Sequence, residues 1–367
     1  MTTLPLRKPI FVLIPLWLTL SALPQMAQAE DGSVGSAGSQ NTAEGDGALQ
    51  NLATNGVRNT AVGFDALFSN TGGGANTAVG AAALESNTAN NNTACGSYAL
   101  NANTTGDGNT ATGIDALMLN INGSTNTANG ASTLFHNTSG SNNVATGSLA
   151  LFNNTTGIQN TATGVSALVN NNGSANTANG FRALQKNTTG IQNTANGINA
   201  LGLNKTGKGN TAEGADALGS NTGSFNAAVG FNAGANLTTG SNNIDIGAGG
   251  VAGESNTMRI GTGKQTTTFI TGVRGTATAN ANAVPVVIDS AGQLGTISSS
   301  RRFKDEIKPM DNSSEAILGL KPVTFHYKSD AQNTPQFGLI AEEVAKVNPD
   351  LVCAMTAAKF TPSATKR

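Results

Sequence analysis

One phrase governs most of this chain. Asn-Thr-Ala-x-Gly, two variable residues, Ala-Leu and a polar turn recur from Asn41, Asn59, Asn76, Asn92, Asn109, Asn126, Asn143, Asn160, Asn176, Asn193, Asn210, Asn226 and Asn243, and each step is 16 to 18 residues. Such a step is too short for a pair of helices. It has room for two strands of about four residues and two turns, each strand pairing with its equivalent in the next unit, which is the geometry of a β-solenoid coil.

The unit Asn160-Thr161-Ala162-Thr163-Gly164-Val165-Ser166-Ala167-Leu168 gives the expected detail. Gly and Asn mark the corners, because both tolerate left-handed backbone. Ala162 and Ala167 or Leu168 are expected to face inward and Thr161 and Thr163 outward. Stacked coils would set Asn on Asn, with the amide side chains hydrogen-bonded along the stack. A composition this rich in Asn, Thr, Gly and Ala also suits a disordered tract. Against that, a leucine keeps one fixed place in each unit from Leu49 to Leu218. One leucine and two or three alanines per coil make a thin core, however. Lateral association of several chains is therefore expected to cover the remaining faces.

The repeated phrase resembles the head repeats of trimeric autotransporter adhesins, although the present unit is a few residues longer. That resemblance implies a parallel β-roll packed as a homotrimer, so the expected partner is the chain itself.

At the start, Arg7 and Lys8 precede an apolar run from Ile10 to Leu23, and Ala27-Gln28-Ala29 supplies the small residues of a cleavage site. Residues 1–29 read as a secretory signal peptide, with the mature chain beginning at Glu30 and no stable membrane span left after cleavage. The expected location is extracellular or the bacterial cell surface. After a linker at 30–40 comes a nearly uncharged array over 41–261. A formal net charge of −1 offers nothing to attract nucleic acid. The two cysteines, Cys95 and Cys353, lie too far apart in sequence to suggest an intrachain disulfide.

Asp65, Asp115 and Asp216 share one place before Ala-Leu, where Ser166 and Asn199 stand in other units. They read as solvated turn residues rather than a column of metal ligands, and no metal or cofactor is expected. Residues 262–297 are expected to form a β-rich neck, with a strand and glycine turn over 267–275 and a hairpin over 284–295.

The remaining chemistry lies in Ser298-Ser299-Ser300-Arg301-Arg302-Phe303-Lys304. A serine hydroxyl becomes nucleophilic when a base removes its proton, and a lysine made neutral by burial can be that base. The stretch continues through Leu320-Lys321-Pro322-Val323-Thr324-Phe325, Gln336-Phe337-Gly338-Leu339-Ile340-Ala341-Glu342-Glu343-Val344 and Asn348-Pro349-Asp350-Leu351-Val352. It resembles the peptidase S74 domain, an intramolecular chaperone at the C-terminus of phage endosialidases, tail fibres and bacterial surface fibres. The resemblance implies that residues 298–352 assemble the preceding fibre as a trimer and then cut themselves away in a single turnover. Ser299 would be the nucleophile, Lys304 its general base and Ser298–Ser299 or its immediate neighbour the scissile bond.

Within this segment the sequence suggests a helix from Ser314 to Leu320, strands over 323–327 and 336–340, and a helix from Ala341 to Val347 with Glu342 paired to Lys346. His326 and His136 read as packed or edge residues. The tail at 353–367 departs from the family pattern. Restoring one base to an allowed back-translation turns it into a hairpin-like run, so a frameshift after Val352 is expected.

The fold class expected is mainly β: a solenoid array, a β neck and a small α+β chaperone domain. The function expected is a trimeric, adhesin-like fibre with an unidentified surface ligand, a glycan being one candidate. The alternatives are a tail fibre that degrades polysaccharide and a purely structural spacer.

Overall fold

The computed structural model describes residues 40–53, 55–271, 273, 286–296, 305–309, 311–326 and 335–351. The chain divides into two compact units, one running to Phe269 and the other beginning at Ile270.

The first unit is a parallel β-solenoid. Fourteen three-residue strands, from β1 (Thr42–Glu44) to β14 (Met258–Ile260), form one sheet in strict sequence order. Register follows the repeat: in β8 (Thr161–Thr163) and β9 (Thr177–Asn179), Thr161 lies against Thr177, Ala162 against Ala178 and Thr163 against Asn179. The outer residues of β8 are exposed and Ala162 is buried, as the period of two requires. Ala167 and Leu168 fill the interior from the other side of the coil.

Each coil holds one strand rather than the two expected. The reason lies in the backbone after the strand. Gly164 has φ 128°, Ser166 φ 59° and Leu168 φ 52°, and left-handed residues at alternate positions cannot continue an extended strand. They form a chain of tight turns whose amides still bond between coils. Leu168 N–H donates to Ala183 O at 3.0 Å, and Ser166 N–H to Ser148 O at 3.0 Å. A leucine in this region costs about 1–2 kcal/mol, and burial of the side chain at zero exposure offsets it.

Two columns of asparagine run through the interior. In the first, Asn160 N–H donates to Asn143 Oδ1 at 3.0 Å, while Asn160 Nδ2 donates to that oxygen at 3.1 Å and to Gly173 O at 2.9 Å. In the second, Asn154 Nδ2 donates to Asn137 Oδ1 at 2.8 Å and to Gly157 O at 3.0 Å. These side chains are fully buried. An amide carries both donors and acceptors, so one residue type can serve the coil above and the coil below. Where Thr133 replaces alanine in the core, its hydroxyl donates to Gly147 O at 2.8 Å.

In the second unit, β15 (Val286–Ile288) and β16 (Leu294–Thr296) pair antiparallel, as the hairpin reading requires. Asp289 Oδ1 closes the turn by accepting from Ala291 N–H at 2.9 Å and Gln293 N–H at 2.8 Å. Residues 267–270, at the boundary between the two units, are irregular rather than a strand. Phe269 stands 90% exposed, with no sheet face against it among the described residues. A 3-10 helix spans Asp311–Gly319, starting earlier and wound tighter than the expected Ser314–Leu320 helix. Strands β17 (Val323–Phe325) and β18 (Gln336–Gly338) pair antiparallel, and helix α1 covers Ala341–Val347. Val344 on α1 is the buried apolar residue of this unit among those described.

Candidate functional site

The acidic residues singled out in the array are corner residues. Asp65, Asp115 and Asp216 have φ of 53°, 57° and 56°, a region that Asp tolerates through its short polar side chain. Asn199, in the same column, donates to Asp216 Oδ1 at 3.2 Å. Among the described residues no three His, Cys, Asp or Glu side chains gather in a group that could hold a metal ion. His136 packs edge-on against Phe135 and Phe152, whose rings stack 5.2 Å apart. His326 lies exposed just after β17, and Cys95 is a free, exposed thiol.

One acid does sit inside the array, and sequence reasoning missed it. Strand β13 (Ile244–Ile246) places Asp245 in the column that alanine holds in the preceding strands. Asp245 is 1% exposed, and its Oδ2 has no hydrogen-bond partner. Gly234, at the usual place of leucine, makes room: a Cβ there would come within 2.7 Å of Leu218 Cδ2 and 3.3 Å of Asp245 Oδ2. Burial pushes the Asp245 carboxyl up to about 6, with the nearby Glu254 charge adding to the rise and Arg259 opposing it. Arg259 lies beside Asp245 in register and forks onto Glu254, with Nη2 to Oε2 at 2.7 Å and Nε at 3.0 Å from both oxygens. That hydrogen bond holds the Glu254 carboxyl below its ordinary range. Polar groups thus gather where the thin core stops, as the end of a repeat stack requires. The sequence signal was the pair of departures in adjacent columns, Asp for Ala and Gly for Leu.

The C-terminal unit carries the second set of candidates. Its hairpin ends at Thr296 and its description resumes at Asp305, so Ser298, Ser299 and Lys304 all lie outside the described residues. Exposed Asp305, Glu306, Ile307 and Lys308 follow them. Beyond these, the end of the 3-10 helix and α1 enclose a cleft of about 330 Å³ lined by Leu320, Ile340, Val344 and Val347 among others. Gly319 keeps that seam closed, since a Cβ on it would meet Val347 Cγ1 at 3.2 Å. The cleft is a packing seam with a charged rim. Glu342 and Lys346 make no ion pair on α1 among the described contacts, both being exposed on a helix of seven residues.

These elements fall within a segment that a sequence comparison assigns to a family. Residues 299–353 match the Peptidase_S74 family, the chaperone of endosialidase. No curated protein and no solved structure matches the chain. The S74 segment therefore contains the 3-10 helix, the β17–β18 pair and α1, and its first residue is Ser299. The expected tail rearrangement begins at Cys353, outside the described residues.

Proposed function

We propose that this chain is an exported homotrimeric fibre, at the bacterial surface or beyond it, whose solenoid is the shaft and attachment surface. Its S74 segment is the intramolecular chaperone that assembles the shaft and then cuts itself away. One observation carries this reading: the same chain joins fourteen in-register parallel strands to a segment that matches a chaperone family. Parallel stacking yields little until neighbouring coils meet, and such topologies fold slowly and expose unpaired edges meanwhile. A covalently attached chaperone is suited to that difficulty.

The self-cleavage chemistry needs two side chains. Neutral Lys304 Nζ removes the proton of Ser299 Oγ, which attacks the Ser298 carbonyl carbon. The peptide C–N bond breaks as the C–O ester bond forms, and the Ser299 nitrogen takes a proton to become a free amine. Water then hydrolyses the ester, leaving a carboxylate on Ser298.

The test is expression from Glu30 of the wild type, Ser299→Ala and Lys304→Ala, with and without the base that restores the family-like tail. A folded active form with the tail as written releases a C-terminal fragment of roughly 7–8 kDa, the size of about 70 residues, one with the restored tail releases a fragment of that tail's own length, and both variants stay whole. A folded wild type that never releases it, with either tail, ends the self-cleavage reading. Binding of the released shaft to surface glycans or matrix proteins then decides between attachment and spacing.

A further inference from the structure

We propose that a ridge of exposed apolar side chains, just past the glycine corner of each coil, is the surface on which a second copy of this chain seats. The proposal rests on the homotrimer reading and supplies it with a face. Phe64, Ile114, Val165, Phe181, Ile198 and Phe231 each follow a corner glycine and are 43% to 73% exposed. Where that place holds Ser97 or Ser148, the large side chain moves one residue along, to Tyr98 at 46% and Leu149 at 36% exposure. Only a few coils, such as those with Ala81, Ala131 and Ala215, leave a gap.

The ridge is not an overflow of the core, whose leucines from Leu49 to Leu237 are fully buried. Nor is it a scatter of single exposed residues, because the solenoid stacks these side chains at one corner, with an unbroken run over Leu149, Val165, Phe181 and Ile198 and alanine gaps on either side of it. Exposed apolar surface of that extent marks an interaction site. Asp65, Asp115 and Asp216 flank it in the next column, whereas Arg182 lays its guanidinium over the Phe181 ring, 4.7 Å from the centroid, a cation–π contact that keeps the side chain against the ridge.

Spacing selects the occupant. Successive coils rise by about 4.8 Å, whereas a lone strand laid along the ridge would offer same-side residues only every 6.6 Å or so. An α-helix would present turns every ~5.4 Å. Both fall out of step within a few rungs. A parallel copy of this array has the same rise and stays in step with the ridge from coil to coil, as symmetric self-association allows.

Tyr98 makes the test direct. In the chain from Glu30 carrying Tyr327→Phe, Tyr98 is the one tyrosine and no tryptophan remains. Acrylamide quenching then reports its accessibility, and light scattering the assembly mass. The expected result is an oligomer in which Tyr98 is shielded. Phe64→Ser, Ile114→Ser and Leu149→Ser together should raise its quenching about twofold or more, the contrast between an interface core and open surface. Serine already occupies these places in Ser97, Ser148, Ser132 and Ser166, so the coil is expected to persist, and far-UV circular dichroism checks that. Should the triple variant fail to fold, shielding of Tyr98 in the wild-type oligomer decides alone. An oligomer with freely quenched Tyr98 overturns the ridge and leaves the homotrimer reading standing. A folded monomer overturns both.

Discussion

Truncating one rung of the buried amide column, by Asn143→Ala, tests what holds the coils together. Asn143 is fully buried. Its Nδ2 donates to Gly157 O at 2.9 Å and Asn126 Oδ1 at 3.1 Å, and its Oδ1 accepts from Asn160 N–H at 3.0 Å and Asn160 Nδ2 at 3.1 Å. Most of these partners keep another bond. Gly157 O retains Asn154 Nδ2, Asn126 Oδ1 retains Asn143 N–H, and Asn160 Nδ2 retains Gly173 O. The Asn160 N–H has no such substitute and is left orphaned in a closed interior. An orphaned buried donor costs about 1–3 kcal/mol, and three further weakened bonds bring the sum to about 3–5 kcal/mol. The assay is urea unfolding followed by far-UV circular dichroism, reading a midpoint shift at constant slope. Asn153→Ala is the control: Asn153 is exposed, its amide reaches Asn170 Oδ1 at 3.1 Å, and it should shift stability by less than about 0.5 kcal/mol. Equal losses in the two variants would refute the idea that the inner column stabilises the stack.

Gly164→Ala should cost more than about 3 kcal/mol, since at φ 128° its Cβ would lie 2.7 Å from both Gly180 C and Gly180 O in the next coil. Gly253→Ala, at φ 75° with nothing within 4 Å of the new Cβ, should cost about 1 kcal/mol in the same urea unfolding assay. Asp245 makes the end of the array sensitive to pH. Its folded pKa of about 6 lies above the ordinary 3.8, so the folded state holds the proton more tightly. The stability this confers is fully present below about pH 3.8 and is lost as pH rises through 6. Glu254, held low by Arg259, contributes in the opposite sense at more acidic pH. Hydrogen exchange of the Ile244–Ile246 amides should therefore quicken between pH 4.5 and roughly 7 beyond the intrinsic rate, and Asp245→Asn should remove that excess; an unchanged excess would exclude Asp245 as its source.

The sequence disclosed the stack because Asn, Ala, Gly and Leu keep their places coil after coil. Ala162 and Leu168 are inward and Thr161 outward, as periodicity alone implies. It did not disclose that Leu168 is left-handed at φ 52°. Propensity argues against leucine there, and only bonding between coils makes the conformation worthwhile. The same cause turned an expected second strand into turns. Asp245 escaped notice because a single acid in an alanine column looks like repeat drift until its burial is seen. Ser299 and Lys304 were legible as a pair only through the ordered motifs that follow them, for a serine five residues from a lysine carries little information on its own.

Because each coil of the solenoid bonds only to the one before and the one after, the array is a ruler with interchangeable graduations. Removing one unit, such as the residues from Asn160 to Ala175, would rejoin two rungs with matching amides, alanines and leucines. It would shorten the reach by about 4.8 Å and alter no other fitting. Gene duplication or slippage in steps of one unit can thus tune how far such a protein extends, without redesigning how it folds.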